Sequence, residues 1–323
     1  MRLKSLITIV LIAIGLGSFA QGYGDIAQNY KNEFGFKSDN DAYLFYGQDR
    51  YYTNGLFINF RHASDQRKLG PTLEKVIWEF TAGQKMYNPI TGSLANKARH
   101  DRPFAGYLYA GSHVSLFSKK EKILKFGLEL GTVGPDALGE DAQKLLHKIV
   151  GFYEINGWQY QIKNELAANL TAQYTKLLTR SKSNKVDLAV DGYANIGTTF
   201  SGAGAGILFR TGRINQLFNS VSTNSSISNN STTAKLVKNE FFFYAKPQLN
   251  LVVYDATIKG SMFNNDSEVT FDTKPIVFAQ QVGFNYSTPR FTIDYSVLFK
   301  TKEIKSTAKA HQYGTIAMYY RFN

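Results

Sequence analysis

Alternation of apolar and polar residues, carried through almost the whole chain, is what most restricts how this sequence can fold. Leu124, Phe126, Leu128 and Leu130 interleave with Lys125, Gly127, Glu129 and Gly131. Phe291, Ile293, Tyr295, Val297 and Phe299 interleave with Thr292, Asp294, Ser296, Leu298 and Lys300. Near the end Ile316, Met318, Tyr320 and Phe322 alternate with Thr315, Ala317, Tyr319 and Arg321. Successive side chains of a strand point to opposite faces, so each segment reads as a strand with one oily and one polar face. Twelve such segments fall between turn signals, near residues 31–45, 53–64, 74–88, 106–118, 122–133, 157–178, 185–201, 202–213, 238–257, 268–287, 290–302 and 310–322. That leaves roughly 25 residues per strand and connection, which suits tilted strands of about 10 residues with short turns at one end and longer loops at the other.

The chain opens MRLKSLITIVLIAIGLGSFAQG, with Arg2 and Lys4 before an apolar stretch from Leu6 to Leu16 and then Ser18-Phe19-Ala20. This is the order of a secretory signal peptide, with cleavage expected after Ala20. The stretch is short for a helix that must cross a hydrocarbon core needing about 20 apolar residues. The expected organisation is therefore a signal peptide over 1–20 and one domain over 21–323. No cysteine occurs anywhere, which excludes a lipoprotein anchor, a disulfide scaffold, a thiolate metal site and a cysteine nucleophile.

Two architectures accept the alternation. In a soluble sandwich the oily faces meet inside; in an outer-membrane barrel they face lipid and the polar faces line the lumen. Aromatic residues at strand ends (Tyr43, Phe45, Tyr107, Tyr109, Tyr319, Tyr320, Phe322) fit the girdles where a bilayer meets water. The last strand runs to within one residue of Asn323, as in barrels closed by their final strand. Export, an even strand count and modest hydropathy favour an all-β fold: a single antiparallel transmembrane barrel of about 12 strands. The excess of 37 Lys and Arg over 25 Asp and Glu fits either attraction to anionic lipopolysaccharide or plain solubility. Nothing points to a nucleic-acid partner, and a monomer is expected.

Two segments interrupt the pattern. Residues 219–234, NSVSTNSSISNNSTTA, read as a mobile surface loop with almost nothing to bury. Pro135 to Gly151 reads as a short loop helix near 138–150, with acidic residues opening it, basic ones near its end and Gly151 as the stop. Of five histidines (His62, His100, His113, His147, His311) only His147 lies on this helix. Gln143 sits one turn earlier on the same face. Such a pair could aim an imidazole at a substrate, or be an ordinary surface pair on an amphipathic helix.

Asp39-Asn40-Asp41 with Asp49-Arg50-Tyr51-Tyr52-Thr53-Asn54-Gly55 gathers oxygen ligands of the kind calcium takes, without EF-hand spacing. An ordinary hairpin loop would use the same residues. Lys97, Arg99, His100 and Arg102 form a basic knot that could attract phosphate or simply be solvated. No G-x-S-x-G, H-E-x-x-H or P-loop is present, and Gly202-Ala203-Gly204-Ala205-Gly206 is not a dinucleotide fingerprint.

Taken in order, Asn40 to Gly55 (NDAYLFYGQDRYYTNG), Asp101 to Gly111 (DRPFAGYLYAG), Gly131 to Gly151 (GTVGPDALGEDAQKLLHKIVG) and Gly157 to Glu165 (GWQYQIKNE) resemble the LpxR-type lipid A 3′-O-deacylases. The match covers roughly the N-terminal half of the mature chain; the rest matches only as barrel strands. The resemblance implies an enzyme of the Gram-negative outer membrane that acts on lipid A in lipopolysaccharide. It implies calcium-dependent removal of the 3′-linked acyloxyacyl chain at a site between the outer wall and a loop helix near the outer leaflet. Carried over, His147 is the base, with Gln143, Asn40, Asp41 and Thr53 completing the polar site and Asp41 as a metal ligand. Lys97 and Arg102 are the expected substrate contacts. The family has a glutamate six residues after the histidine, where this chain has Tyr153 followed by Glu154. Either the loop shifts by one and Glu154 is the second metal ligand, or that role is lost. The rival of another class is a non-catalytic barrel, a porin or surface-binding protein.

Overall fold

The structure, a computed structural model, describes residues 29–44 and 49–323. The expected signal peptide lies outside the described residues. Twelve antiparallel strands, each paired with its sequence neighbours, close into a barrel when β1 pairs with β12. They are β1 (Asn32–Asn40), β2 (Tyr51–Ala63), β3 (Leu73–Asn88), β4 (Ala105–Ser118), β5 (Lys122–Val133), β6 (Glu165–Arg180), β7 (Val186–Gly197), β8 (Phe200–Arg213), β9 (Glu240–Asp255), β10 (Ile276–Ser287), β11 (Phe291–Lys300) and β12 (His311–Phe322). Each of the twelve expected segments contains a strand, but three of the strands are shorter than expected. The first ends at Asn40, where Asp41–Leu44 coil into a 3-10 turn; the segment at 157–178 becomes strand only from Glu165, and that at 268–287 only from Ile276. No helix among the described residues is long and apolar enough to cross a membrane.

The oily faces point outward. Phe34, Phe36, Ile58, Phe60, Trp78, Phe80, Leu124, Phe126, Leu128 and Leu130 are all exposed. In water this would be costly; in a bilayer it is the lipid-facing band. Inside, charged residues neutralise one another: Arg61 Nη1 meets Glu33 Oε1 at 2.6 Å, Arg321 Nε meets Glu33 Oε2 at 2.8 Å and Lys125 Nζ meets Glu79 Oε1 at 2.7 Å. The long connections (89–104, 134–164, 256–275 and 301–310), with residues 41–44 and 49–50, lie at the end opposite the C-terminus, which marks that end as extracellular.

One long connection breaks this rule, and it corrects the expectation for residues 219–234. The β8–β9 connection does not hang free at the periplasmic end; it folds into the lumen. Ile214, Leu217, Phe218, Val221 and Ile227 pack against the inward residues Ile77, Phe117, Ile123, Leu208 and Phe242. Its polar residues answer buried charges on the wall. Lys75 Nζ donates to Asn219 Oδ1 (3.0 Å) and the Ser225 carbonyl (2.6 Å). Arg210 donates to Ser220 Oγ and Ser222 Oγ at 2.7 and 2.8 Å, and Glu240 accepts from Ser220 Oγ and the Val221 amide. A polar composition therefore marks a plug that satisfies a charged interior.

Candidate active site on the outer wall

The pleat decides which side of the wall each residue serves. On β1, Phe34 and Phe36 face lipid, so Asn40 faces outward and Asp39 lines the lumen cavity. On β3, Trp78 and Phe80 face out, and with them Gln84, Met86 and Asn88. On β2 the register slips between Tyr52 and Asn54, leaving Thr53 as the extra residue of a bulge. Bulges commonly re-aim a side chain at a sheet rim.

Above these outward positions lies α1 (Gly139–Val150), the expected loop helix, closed by Gly151 at φ 75° with its amide on the His147 carbonyl. Its inner side packs Ala142 and Leu146, together with Trp158 and Phe104, onto Met86 of the wall. Gln84 Nε2 donates to the Ala137 carbonyl at 2.6 Å and ties the turn before α1 to β3. The same side of the helix buries Gln143 and His147.

Asp49 is where these elements converge. Its Oδ2 lies 3.1 Å from His147 Nε2 and accepts the Tyr153 hydroxyl at 2.6 Å. Gln143 Nε2 donates to both carboxylate oxygens at 3.1 and 2.9 Å, and Asn88 Nδ2 to Oδ1 at 3.0 Å. The Thr53 hydroxyl completes the set on Oδ1 and also lies 3.5 Å from Asp41 Oδ1. The Gln143 amide cannot be reversed, because its Oε1 accepts the Trp158 indole N–H at 2.7 Å. Gly92 permits this crowding: a Cβ there would sit 2.5 Å from Asp49 Oδ2 and 2.9 Å from Gln143 Nε2.

The imidazole is oriented from both sides. Nδ1 lies 2.8 Å from the Tyr153 carbonyl, an obligate acceptor, so Nδ1 carries a proton in both states; Nε2 donates to Asp49 when the ring is charged and is the basic position when the ring is neutral. Burial pulls the His147 pKa down, but the hydrogen bond to Asp49 and the Tyr153 carbonyl outweigh it and raise it above the ordinary value. For Asp49, burial pulls upward, and hydrogen bonds from His147, Thr53 and Tyr153 hold it below the usual carboxylate range. Burial, reinforced by the charge of Asp49, pushes the Asp41 carboxyl up to about 8, against the pull of the Arg50 amide at 3.1 Å. Burial and Asp49 also push the Tyr153 hydroxyl up, so it stays a donor.

The expected residues divide into two groups. Gln143, His147 and Thr53 meet on Asp49, and Asp41 joins through Thr53. Asn40 shapes the turn by accepting the Ala42 amide at 2.7 Å. Arg102 lies instead inside the outer end of the barrel, buried over the Tyr87 ring with Nη2 on Thr257 Oγ1 at 2.8 Å. Lys97 is exposed and ion-paired to Glu268 at 2.6 Å, and Glu154 is exposed. Tyr153, not Glu154, turns its side chain into the cluster.

For calcium, the donor chemistry is mixed. Asp49 has no lone pair to spare, since five side chains already address its two oxygens. Asp41 differs: a buried carboxyl held against a second carboxylate, with the Thr53 hydroxyl beside it, is stabilised by a hard cation. Among the described residues no group of three or more His, Asp or Glu side chains surrounds one metal position. Asp41 and Thr53 thus fit calcium in donor type, with further oxygens to come from main chain or water.

Fold and site together define an outer-membrane barrel that mounts a buried polar cluster on its lipid-side wall rather than in its lumen. A sequence model of the family described as outer membrane protein LpxR matches residues 6–322, and the chain belongs to that family. Among solved structures it is similar to LpxR from Salmonella typhimurium, at 20% identity and a TM-score of 0.72, over 90% of this chain and 100% of that one. The β-domain of the Bordetella autotransporter BrkA aligns over 91% of this chain and 100% of its own, at 9% identity and a TM-score of 0.49. No curated protein matches the sequence. The protein is thus placed in the Gram-negative outer membrane.

Proposed function

We propose that the protein is a lipid A deacylase that hydrolyses the 3′-linked acyloxyacyl ester with His147 as general base. The observation that carries the reading is the Asp49-centred cluster, with its oriented imidazole, on the outward side of the wall beneath α1. A lipid ester reaches that position from the bilayer, whereas a lumen site would serve a soluble solute. Water attacks the ester carbonyl carbon while Nε2 of His147 removes its proton. Asp49 stabilises the imidazolium that forms, and Gln143, Asn88, Thr53 and Tyr153 hold Asp49 in place. The bond to the sugar oxygen then breaks, and the imidazolium returns a proton to that oxygen, releasing a carboxylic acid and a free hydroxyl. Calcium, when bound, would be held by Asp41 and Thr53 and would supply positive charge for the developing oxyanion. Lys97 is the proposed contact for a substrate phosphate, once released from Glu268.

The plugged lumen is further support, since a conducting barrel has no use for a segment that fills its periplasmic end. The test is mass spectrometry of lipid A from outer membranes expressing the chain. Loss of one acyloxyacyl group, absent with His147→Ala, is the expected result. An unchanged spectrum from a folded barrel would overturn the assignment.

A further inference from the structure

α1 has three sides, and the cluster uses only one of them. At about 100° per residue, Gln143 and His147 point to the wall, and Leu145 and Ile149 lie about 200° further round. Leu145 is 59% exposed and Ile149 61%, with Leu138 at 52% just before the helix and Phe152 at 53% just after it. The flank between this stripe and the cluster carries Glu140, Asp141, Lys144 and Lys148, with Lys144 and Glu140 paired at 2.6 Å. The helix is therefore amphipathic twice over, one face polar and buried against protein, the other apolar and bare.

The fold supplies the occupant of the bare face. α1 lies outside the wall, on the outward residues of β3 and β4, and not over the lumen. The neighbouring outward residues Leu128 and Leu130 of β5 and Leu166 and Leu170 of β6 are exposed in the same way and belong to the lipid-facing band. We infer that the Leu138–Leu145–Ile149–Phe152 stripe is a membrane-insertion surface, which seats α1 in the acyl region of the outer leaflet as an extension of the barrel's apolar band. An amphipathic helix with a charged flank and an apolar face lies in the interface plane in this way. The consequence for the chain is positional. His147 is held at the depth where headgroup meets hydrocarbon, instead of standing above the bilayer in water. This inference does not depend on the hydrolase reading, because it concerns depth alone.

The absence of native cysteine allows a clean test. Leu145→Cys, Ile149→Cys, Lys148→Cys and Leu128→Cys are each spin-labelled in the full-length barrel, in liposomes of phosphatidylethanolamine and phosphatidylglycerol. Heat-modifiability on a gel confirms that each variant is folded. The ratio of oxygen to water-soluble nickel-chelate collision rates reports depth. Labels at 145 and 149 are expected to match the band position at 128 and to exceed the label at 148 several-fold. Labels at 145 and 149 as open to the nickel chelate as the one at 148 would overturn the inference, whatever the enzymatic result.

Discussion

The two longest connections among the described residues, 134–164 at the outer end and 214–239 at the periplasmic end, use polar residues to opposite purposes. In the inner insert polar groups answer separate charges on the wall: Asn219 and Ser225 answer Lys75, while Ser220 and Ser222 answer Arg210. In the outer insert the polar groups crowd onto one carboxylate that is itself brought from another loop, and they leave an imidazole beside it. Dispersed satisfaction fills space. Convergent satisfaction orients a reactive group, and this contrast separates the plug from the candidate site.

The strongest way to break the contrast is to remove the base. His147→Ala is expected to lower deacylation by about 10²–10⁴-fold, while the barrel stays heat-modifiable. Asp49→Ala should lose a similar amount, since it takes away the partner of the imidazolium and unties five donors at once. Release of fatty acid in detergent micelles measures both, and full activity in either variant would remove the mechanism. Deleting 219–234 tests the other insert. Single-channel current should appear in planar bilayers, where the native protein is expected to give none, and the deacylation rate should stay within about twofold, because the two inserts share no contact network.

Metal removal and pH sharpen the picture of the outer insert. Chelation with EDTA is expected to lower the rate more than about tenfold, with calcium restoring it; indifference to both would remove Asp41 as a cation ligand. For pH, the raised pKa of His147 sets the sign. The base works only when neutral, so the rate should rise with pH through an inflection above the ordinary histidine value of about 6.5 and fall below it. The stabilising contribution of the pair follows the linkage of each partner. That of His147 is complete below its unfolded pKa and is lost as pH rises through the raised value. That of Asp49 is present above its unfolded pKa and is lost as pH falls through the lowered value. The pair therefore stabilises between the two. An inflection at or below the ordinary histidine value would count against the Asp49 contact.

Much of this was legible from the residues. Period-two alternation located all twelve strands, and charge order with Gly151 located α1 nearly to the residue. Gln143 and His147 share a face by spacing alone. Asp49 was missed as the hub because it lies in a loop, where Asp is expected for turn reasons, and only the folded chain brings that loop under α1. Arg102 was misplaced for the converse reason. A basic residue at a strand mouth can turn inward or outward, and here it is drawn over Tyr87 and onto Thr257, which lies 155 residues away. The plug was hidden by composition: a Ser- and Asn-rich stretch buries well only when the interior it enters is charged, and that depends on Lys75 from a distant strand and on Arg210 and Glu240 of the flanking strands turning inward.

The smallest effect should come from Tyr153→Phe, and it is the most discriminating of the set. The variant keeps the backbone carbonyl that orients Nδ1 of His147 at 2.8 Å and removes only the hydroxyl that donates to Asp49 at 2.6 Å. One donor among five is lost, and a hydrogen bond to a charged acceptor contributes about 1.5–3 kcal/mol when it cannot be replaced. Water can replace it here in part, since Tyr153 is itself exposed at the edge of the cluster. The expected fall in rate is therefore about three- to tenfold, with the pH inflection essentially fixed because the imidazole keeps both its acceptors. A loss as large as that of His147→Ala would make the Tyr153 hydroxyl itself a reacting group. No loss at all would mean that Asp49 is held by Gln143, Asn88 and Thr53 alone, and that the side chain at position 153 merely closes the edge of the cleft.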